Sequence, residues 1–395
     1  MTNPDSQNNF PHDLLQLLSQ EGSTAFLQIL QVLLNKAMLL ERSAVLDAKP
    51  YERTSARKGY ANGFKPKSLH TPLGTLCLDI PQVRGDIEFY PSALERYSRT
   101  DKALLLTMAE MYVQGVSTRK VDEVLHTLCG LRVSSSQVSR ATAELEPQFD
   151  SWRNRPLGAQ PYLVLDARFE KVRIEGSLRD CAVLVAIGIS EDGHRSVLGV
   201  SCALNEAEVH WRSFFESLQK RGLHSVRLIV SDNHQGLRSA IKARFGSIPH
   251  QRCQFHLIQN AMDHVPKLAL RPQVLEQLRA ILHAPNKTTA QTLLRQMVDT
   301  YSKSAPELAA WLEANVPESF TVFDLPSQHW VKMRTSNMIE RVNQELKRRT
   351  RVIRVFPNIA SLLRLITARL CEISDTWESG KVYLNMNPES QFLAA

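Results

Sequence analysis

"YLVLDARFEKVRI" (162–174), "DCAVLVAIGIS" (180–190) and "RSVLGVSCAL" (195–204) are three apolar, β-branched runs in close succession. Near-continuous apolar runs of this kind read as strands buried on both faces, and "EDGH" (191–194) supplies a hairpin turn between the second and third. Downstream, "EAEVHWRSFFESLQKRG" (206–222) reads as a helix, "SVRLIVSD" (225–232) as a strand and "HQGLRSAIKARF" (234–245) as a second helix. The pattern changes again after Phe255. No strand is legible from there to Gln328, only helical segments punctuated by Pro266, Pro272, Pro285, Pro306, Pro317 and Pro326.

The order β-β-β-α-β-α, with antiparallel strands first and crossovers to parallel ones after, predicts an α/β fold: a ribonuclease H-like core with an all-helical insertion. The expected divisions are 151–255 for the first part of the core, 256–330 for the insertion, 331–375 for the last part of the core and 376–395 for a tail. "EPQFDSWRNRPLGAQP" (146–161) reads as a linker into this core.

Two aspartates stand at the ends of apolar stretches, Asp166 after "YLVL" and Asp232 after "RLIVS". Side chains at the carboxyl ends of strands in an open α/β sheet line the ligand crevice, so such a pair can converge on one divalent cation. Capping of the next helix is the competing reading of Asp232. A third acid, Glu340, sits in the first turn of a helix opened by Ser336 and Asn337. From Arg341 to Arg354 that helix carries Arg341, Lys347, Arg348, Arg349, Arg351 and Arg354 against one acid, Glu345. Residues 337, 340, 341, 344, 347 and 348 share one side of it, so the acid can complete a metal site while the bases hold phosphates. An ordinary first-turn glutamate favoured by the helix dipole is the alternative. Three carboxylates fit phosphoryl transfer with two Mg2+ ions, or Mn2+ in their place, in an in-line displacement that needs no protein nucleophile.

Ahead of the core, the chain reads as a DNA-contacting region. Residues 13–46 carry Phe26, Leu30, Leu33, Ala37 and Leu40 on one stripe, which packs either on its own domain or against a second copy. Residues 51–100 hold a basic hairpin in which Arg57, Lys58, Lys65 and Lys67 alternate with Tyr60, Phe64 and glycines, suited to phosphate contact or to a plain solvated loop. Within 101–150, "STRKVDEVLHTL", the turn "CGLRV" and "SSSQVSRATAEL" look like a helix-turn-helix whose second helix presents Ser136, Gln137, Ser139 and Arg140.

Composition agrees with a soluble protein that meets a polyanion: 395 residues, 43% hydrophobic and 22% charged, with 48 Lys+Arg against 40 Asp+Glu. The six cysteines form no CxxC pair, which argues against a disulfide framework and for a reducing cytoplasm. The start lacks the order of a signal peptide, and no apolar run approaches a membrane span, so a cytoplasmic, nucleoid-associated location is expected.

The segments "RKGYANGFKPKSL" (57–69), "YVQGVSTRKV" (112–121), "LVLDARFEKVR" (163–173), "SDNHQGLRSAI" (231–241), "QRCQFHLIQN" (251–260) and "SNMIERVNQELKRRTRVIRVFPN" (336–358) together resemble transposases of the Mutator-like family of bacterial insertion sequences. The resemblance covers roughly residues 50–375. It implies a ribonuclease H-like core with an Asp-Asp-Glu triad, Asp166, Asp232 and Glu340, and a helical insertion between the second and third acids. It also implies supporting roles for Cys253 and His256, which match a Cys-x-x-His element, and for His234 and Asn337. The partners it implies are double-stranded DNA, namely the terminal inverted repeats of the element and a target, and synapsis of two ends makes a homodimer the expected assembly. Movement through a circular intermediate is carried by the resemblance alone. Taken from the residues, Cys253 and His256 are too few for a structural zinc site, which wants four ligands. Two other classes compete: a regulator that binds DNA without chemistry, and a recombinase using a covalent Ser or Tyr.

Overall fold

A computed structural model describes residues 26–386 apart from positions 50, 51, 53, 56, 72, 86, 93 and 95–101. Residues 13–25 of the expected first helix, and the part of the 376–395 tail beyond Met386, lie outside the described residues. The chain divides into two compact units, Met1–Glu144 and Leu145–Ala395.

In the first unit, helix α1 (Phe26–Leu46) lies on an antiparallel hairpin of β1 (Tyr60–Thr71) and β2 (Gly74–Arg84). The alternation of Leu76, Leu78 and Ile80 puts all three on one face of β2, where they are buried with Met38, and Leu27, Leu30 and Leu34 pack on the cluster. Of the expected apolar stripe, Leu30 packs on the hairpin, whereas Phe26, Leu33 and Leu40 are exposed, at 58%, 42% and 62%. Three short helices follow, α2 (Lys102–Val113), α3 (Thr118–Cys129) and α4 (Ser135–Ala143), closed around Leu104, Met108, Val121, Leu125, Val138 and Ala141. Ser117 caps α3 through its side chain, and Gly130 ends the helix in the left-handed region that glycine adopts at no steric cost. A reciprocal capping box between Ser134 and Gln137 starts α4.

The second unit begins with α5 (Glu146–Arg153), a correction to the linker expected there. Pro147 is compatible with a helix because it stands in the first turn, where its missing N–H would be unpaired anyway. Next come β3 (Tyr162–Ile174), β4 (Ser177–Ile189), β5 (Arg195–Ala203), α6 (Glu208–Lys220), β6 (Leu228–Ser231), α7 (Gln235–Phe245) and β7 (His250–Arg252). The sheet order is β5-β4-β3-β6-β7, antiparallel from β5 to β3 and parallel from β3 to β7. That is the mixed arrangement expected for a ribonuclease H-like core. One face, through Leu163, Leu165, Leu184 and Leu198, buries Trp211, Phe214, Phe215 and Leu218 of α6 with Leu237, Ile241 and Phe245 of α7.

Helices α8 (Gln254–Asp263), α9 (Arg271–Leu282), α10 (Lys287–Tyr301), α11 (Pro306–Asn315) and α12 (Ser327–Met333), with short 3-10 turns, form the insertion, which contains no strand among its described residues. It has its own apolar cluster, which includes Leu257, Leu278, Leu294, Leu308 and Phe320. Strand β7, not anticipated from the sequence, ties the insertion to the sheet. Buried Arg252 donates to Asn315 Oδ1 (2.7 Å) and Glu318 Oε2 (3.1 Å), and Gln251 donates to the Ser319 carbonyl (2.9 Å).

The chain then returns through α13 (Asn337–Ile353) and α14 (Ile359–Glu378). Strand β3 runs well past its pairing with β6, and this extension positions α13. Arg168 donates to the Asn343 carbonyl, Thr350 Oγ1 donates to Glu170 Oε1 (2.8 Å), and Phe356 pairs with β3 beside Val172 through Phe356 N to Lys171 O and Arg173 N to Phe356 O, both 2.9 Å. Helix α14 is held to β5 by Val197 N donating to Ser374 Oγ (3.0 Å).

Candidate active site

Strands β3 and β6 run parallel with Val164 opposite Val230, and two residues further along each strand direction come Asp166 and Asp232. Parallel neighbours lie about 4.8 Å apart, so this register sets the two carboxylates side by side on the sheet. Asp166 is not at a strand end as its sequence context suggested. It lies inside β3, at the point where pairing with β6 stops and the β3–β4 ribbon continues alone. Its register sends the side chain to the face opposite Leu163 and Leu165, where Asn343 Nδ2 of α13 donates to Oδ2 at 2.7 Å. The remaining amide oxygen of Asn343 is buried without a hydrogen-bond partner.

Desolvation, reinforced by the charge of Asp232, pushes the Asp166 carboxyl up to about 7, against the opposing charge of His256. Asp232 Oδ1 accepts from the His234 backbone N–H (3.2 Å) in a turn ahead of α7; the N-cap of that helix is His234, with no side-chain cap, so Asp232 does not cap it.

Glu340 stands in the first turn of α13, and its Oε1 accepts from Ser336 Oγ at 3.0 Å. Ser336 N and Oγ also lie 3.3 and 3.1 Å from Cys253 Sγ. Among the described residues, the only three acid, cysteine or histidine side chains with ligand atoms all within 4.8 Å of one another are Cys253, His256 and Glu340. Asp166, Asp232 and Glu340 do not close to that distance as a set. The His256 imidazole interacts with both Asp166 and Glu340. It is pushed up to about 9, first by the facing Cys253 sulfur and then by the acids, while burial works the other way. Burial alone would raise the Cys253 thiol, yet contacts from His256 and Ser336 outweigh it and hold the thiol below its usual range. The two side chains thus favour each other's charged forms beside the glutamate.

Two functional candidates escaped the sequence reading. Asn343 is one. Glu206, just before α6, is the other: its side chain is only 10% exposed, its Oε2 is 3.4 Å from His234 Nδ1, and its charge acts on both aspartates. Burial and then Asp232 raise the Glu206 carboxyl, with His234 opposing. The loop carrying it is seated on Gly236, where any Cβ would come within 2.2 Å of the Glu206 carbonyl. An acid two residues ahead of an amphipathic helix was the only available signal.

Of the other expected residues, Asn337, Arg341, Lys347, Arg348, Arg351 and Arg354 are exposed and Arg349 is half-buried along α13 and its end; Arg348 pairs with Glu345 (3.2 Å). In the first unit Lys58 and Lys65 are exposed. Arg57 lies over Tyr60, and Lys67 donates to Tyr90 OH (2.7 Å). On α4, Ser136 and Arg140 are exposed, whereas the Gln137 side chain is engaged in the capping box, accepting from Ser134 N at 2.7 Å. No described helix is long and apolar enough to cross a membrane.

Comparison with known proteins shows the family. A family described as "Transposase, Mutator family" matches residues 7–380. The transposase for insertion sequence element IS406 of Burkholderia multivorans is 52% identical over 373 residues, 94% of this chain and 96% of that one. The transposase for IS256 in transposon Tn4001 of Staphylococcus aureus is 38% identical, covering 91% and 93%. Among solved structures, the HTLV-2 integrase catalytic core domain in complex with magnesium overlaps 33% of this chain and 90% of its own at 18% identity. Its TM-score of 0.18 is too low to carry an argument.

Proposed function

Since the chain belongs to the Mutator family of transposases, we propose that it binds the terminal inverted repeats of its own element and cuts and joins DNA strands by metal-dependent, direct in-line displacement. The observation that carries this reading is the side-by-side pair Asp166 and Asp232 on parallel strands, with α13 delivering Asn343 onto Asp166 and Glu340 beside His256, which also interacts with Asp166.

The donor set fits magnesium. Carboxylate oxygens are the hard ligands it takes, and a divalent cation offsets both the burial and the repulsion from Asp232 that raise Asp166. Manganese shares the preference. We assign Asp166, Asp232 and Glu340 as the ligands, with Glu340 turning from Cys253 and His256 toward the aspartates. Two such ions would activate the attacking oxygen and steady the leaving one.

The chain's own groups do the rest. Asn343 holds one Asp166 oxygen in place, and His256 keeps positive charge between Asp166 and Glu340. The exposed bases Arg341, Lys347, Arg348, Arg351 and Arg354 grip phosphates flanking the reacting bond. Arg57, Lys58, Lys65 and Lys67 of the hairpin and Ser136 and Arg140 of α4 contact the element ends. The attacking oxygen is water for cleavage and a freed DNA 3′-hydroxyl for transfer, so no covalent protein–DNA intermediate forms. On this reading residues 51–150 serve the ends, 151–255 and 331–375 the chemistry, and 256–330 the insertion. Two ends call for two subunits, and the exposed stripe of Phe26, Leu33 and Leu40 on α1 is the surface offered for a homodimer.

The test is separate substitution, Asp166→Asn, Asp232→Asn and Glu340→Gln, with end binding and Mg2+-dependent nicking measured on one DNA. Binding retained and nicking lost by at least a thousandfold supports the assignment. Nicking that survives all three substitutions, or a trapped protein–DNA adduct, overturns it.

A further inference from the structure

Cys253, His256 and Glu340 reach one point from two helix starts. Cys253 stands at the N-cap of α8 and His256 lies one turn on, while Glu340 comes from the first turn of α13, over eighty residues later. Their ligand atoms lie within 4.8 Å of one another. Around a tetrahedral zinc ion, neighbouring ligand atoms are about 3.4–3.8 Å apart, so a closing movement on the order of 1 Å per side chain makes three bonds.

A second observation points to a ligand there. His256 Nδ1 is buried and makes no hydrogen bond of normal geometry. A buried polar atom without a partner is costly, and a metal satisfies it. The set also has the wrong chemistry for magnesium, because one donor is sulfur and one is imidazole nitrogen. Sulfur and imidazole with one carboxylate suit zinc, which binds three protein ligands and leaves a fourth position for water.

We propose that Cys253, His256 and Glu340 form an inhibitory site for a thiophilic divalent cation of the zinc class. The inference rests on Glu340 being an acid of the magnesium centre. In this structure its carboxylate faces the sulfur and imidazole rather than completing a close cluster with Asp166 and Asp232, and zinc captures that arrangement. Zinc takes the sulfur as thiolate and the imidazole neutral, so their protons go to the buffer on binding. The magnesium centre then lacks its third acid. Cleavage stops while DNA binding through the distant bases continues.

The experiment uses the full chain, purified free of metal, with Co2+ as a spectroscopic stand-in and Zn2+ as competitor. Expected is one Co2+ per chain with a thiolate-to-cobalt absorption band, displaced by one equivalent of Zn2+. The band should be absent in Cys253→Ser, and cobalt affinity should fall at least tenfold in His256→Asn and in Glu340→Gln. Any of these variants that fails to fold is read from the other two. In nicking assays at fixed Mg2+, the Zn2+ giving half inhibition should rise at least tenfold in Cys253→Ser relative to that variant's own zinc-free rate. No cobalt–thiolate band, a band that survives Cys253→Ser, or equal zinc sensitivity in both proteins overturns the proposal. The cobalt readout needs no activity, so it stands apart from the catalytic assignment. If the band behaves as expected while nicking survives Asp166→Asn, Asp232→Asn and Glu340→Gln, the catalytic assignment fails and the zinc-binding site does not.

Discussion

Asn343 Nδ2 lies 2.7 Å from Asp166 Oδ2, and the two residues are 177 positions apart in the chain. This bond joins the helix that carries Glu340 to the strand that carries the first aspartate, and Arg168 reinforces it by donating to the Asn343 carbonyl. Residues that orient a metal-binding carboxylate typically contribute 10- to 100-fold to affinity or rate. Asn343→Ala should therefore slow nicking by about 10- to 100-fold, with end binding and helix content unchanged. A rate within twofold of the parent protein would leave the bond with no functional part.

The raised Asp166 carboxyl has a stability consequence with a definite sign. Its folded-state value, about 7, exceeds the ordinary 3.8. The folded protein therefore holds the proton more tightly than the unfolded chain. Stability is lost as pH rises from about 4 to 7 and stays lower above that. Asp166→Asn removes the effect and still accepts from Asn343. Without divalent metal it should stabilise the protein by roughly 1–3 kcal/mol at pH 8, after discounting for partial exposure, and by almost nothing at pH 4. The check is thermal unfolding of both proteins across that range. A difference that is equal at both ends would mean the gain has another source. The same proton makes magnesium compete with H+ below pH 7, so the Mg2+ needed for half-maximal nicking should rise as pH falls.

Glu206 is a half-buried acid whose charge meets two further acids, with His234 to offset it. Placing a carboxylate there is unfavourable unless positive charge arrives, so it belongs to the electrostatics of the cation site. Glu206→Gln should raise the Mg2+ requirement for nicking several-fold with a smaller change in the rate at saturating Mg2+. An unchanged Mg2+ dependence would reduce Glu206 to a support for the start of α7.

How much of this was open to sequence reasoning depends on what kind of signal each part left. Strands β3, β4 and β5 were legible because burial on both faces makes long apolar runs, and Asp166 and Asp232 stood out because the first interrupts the run of β3 and the second follows that of β6. Strand β7 was not, since its three residues, His250, Gln251 and Arg252, are polar and are held in place by hydrogen bonds to the insertion. Helix α5 was hidden by Pro147 and its polar composition. In α1, apolar residues at helical spacing occur on more than one stripe, and periodicity alone cannot say that Leu27, Leu30, Leu34 and Met38 meet the hairpin while Phe26, Leu33 and Leu40 do not. Asn343 and Glu206 are ordinary surface-type residues until the fold brings them to the aspartates, so no local pattern announces them.

The bases of α13 and of α4 are expected to do different work on DNA. Lys347 and Arg351 are exposed on a helix whose buried face carries Val342, Leu346 and Thr350, so their charges are free to meet phosphate. Each phosphate contact releases condensed counterions, and removing one should flatten the slope of log K against log salt by about 1. Lys347→Ala and Arg351→Ala should weaken binding to element ends and to random DNA alike. Arg140 is exposed on α4, in the helix expected to read bases, and Arg140→Ala should cost about 1–3 kcal/mol on the element ends and much less on random DNA. Gln137 is different. Its side chain closes the capping box with Ser134, so Gln137→Ala should lower the melting temperature of the first unit through a cap loss of roughly 1 kcal/mol. Fluorescence anisotropy on specific and random duplexes at three or more salt concentrations separates these outcomes. Equal losses on both duplexes for Arg140→Ala would remove α4 from the reading of the ends.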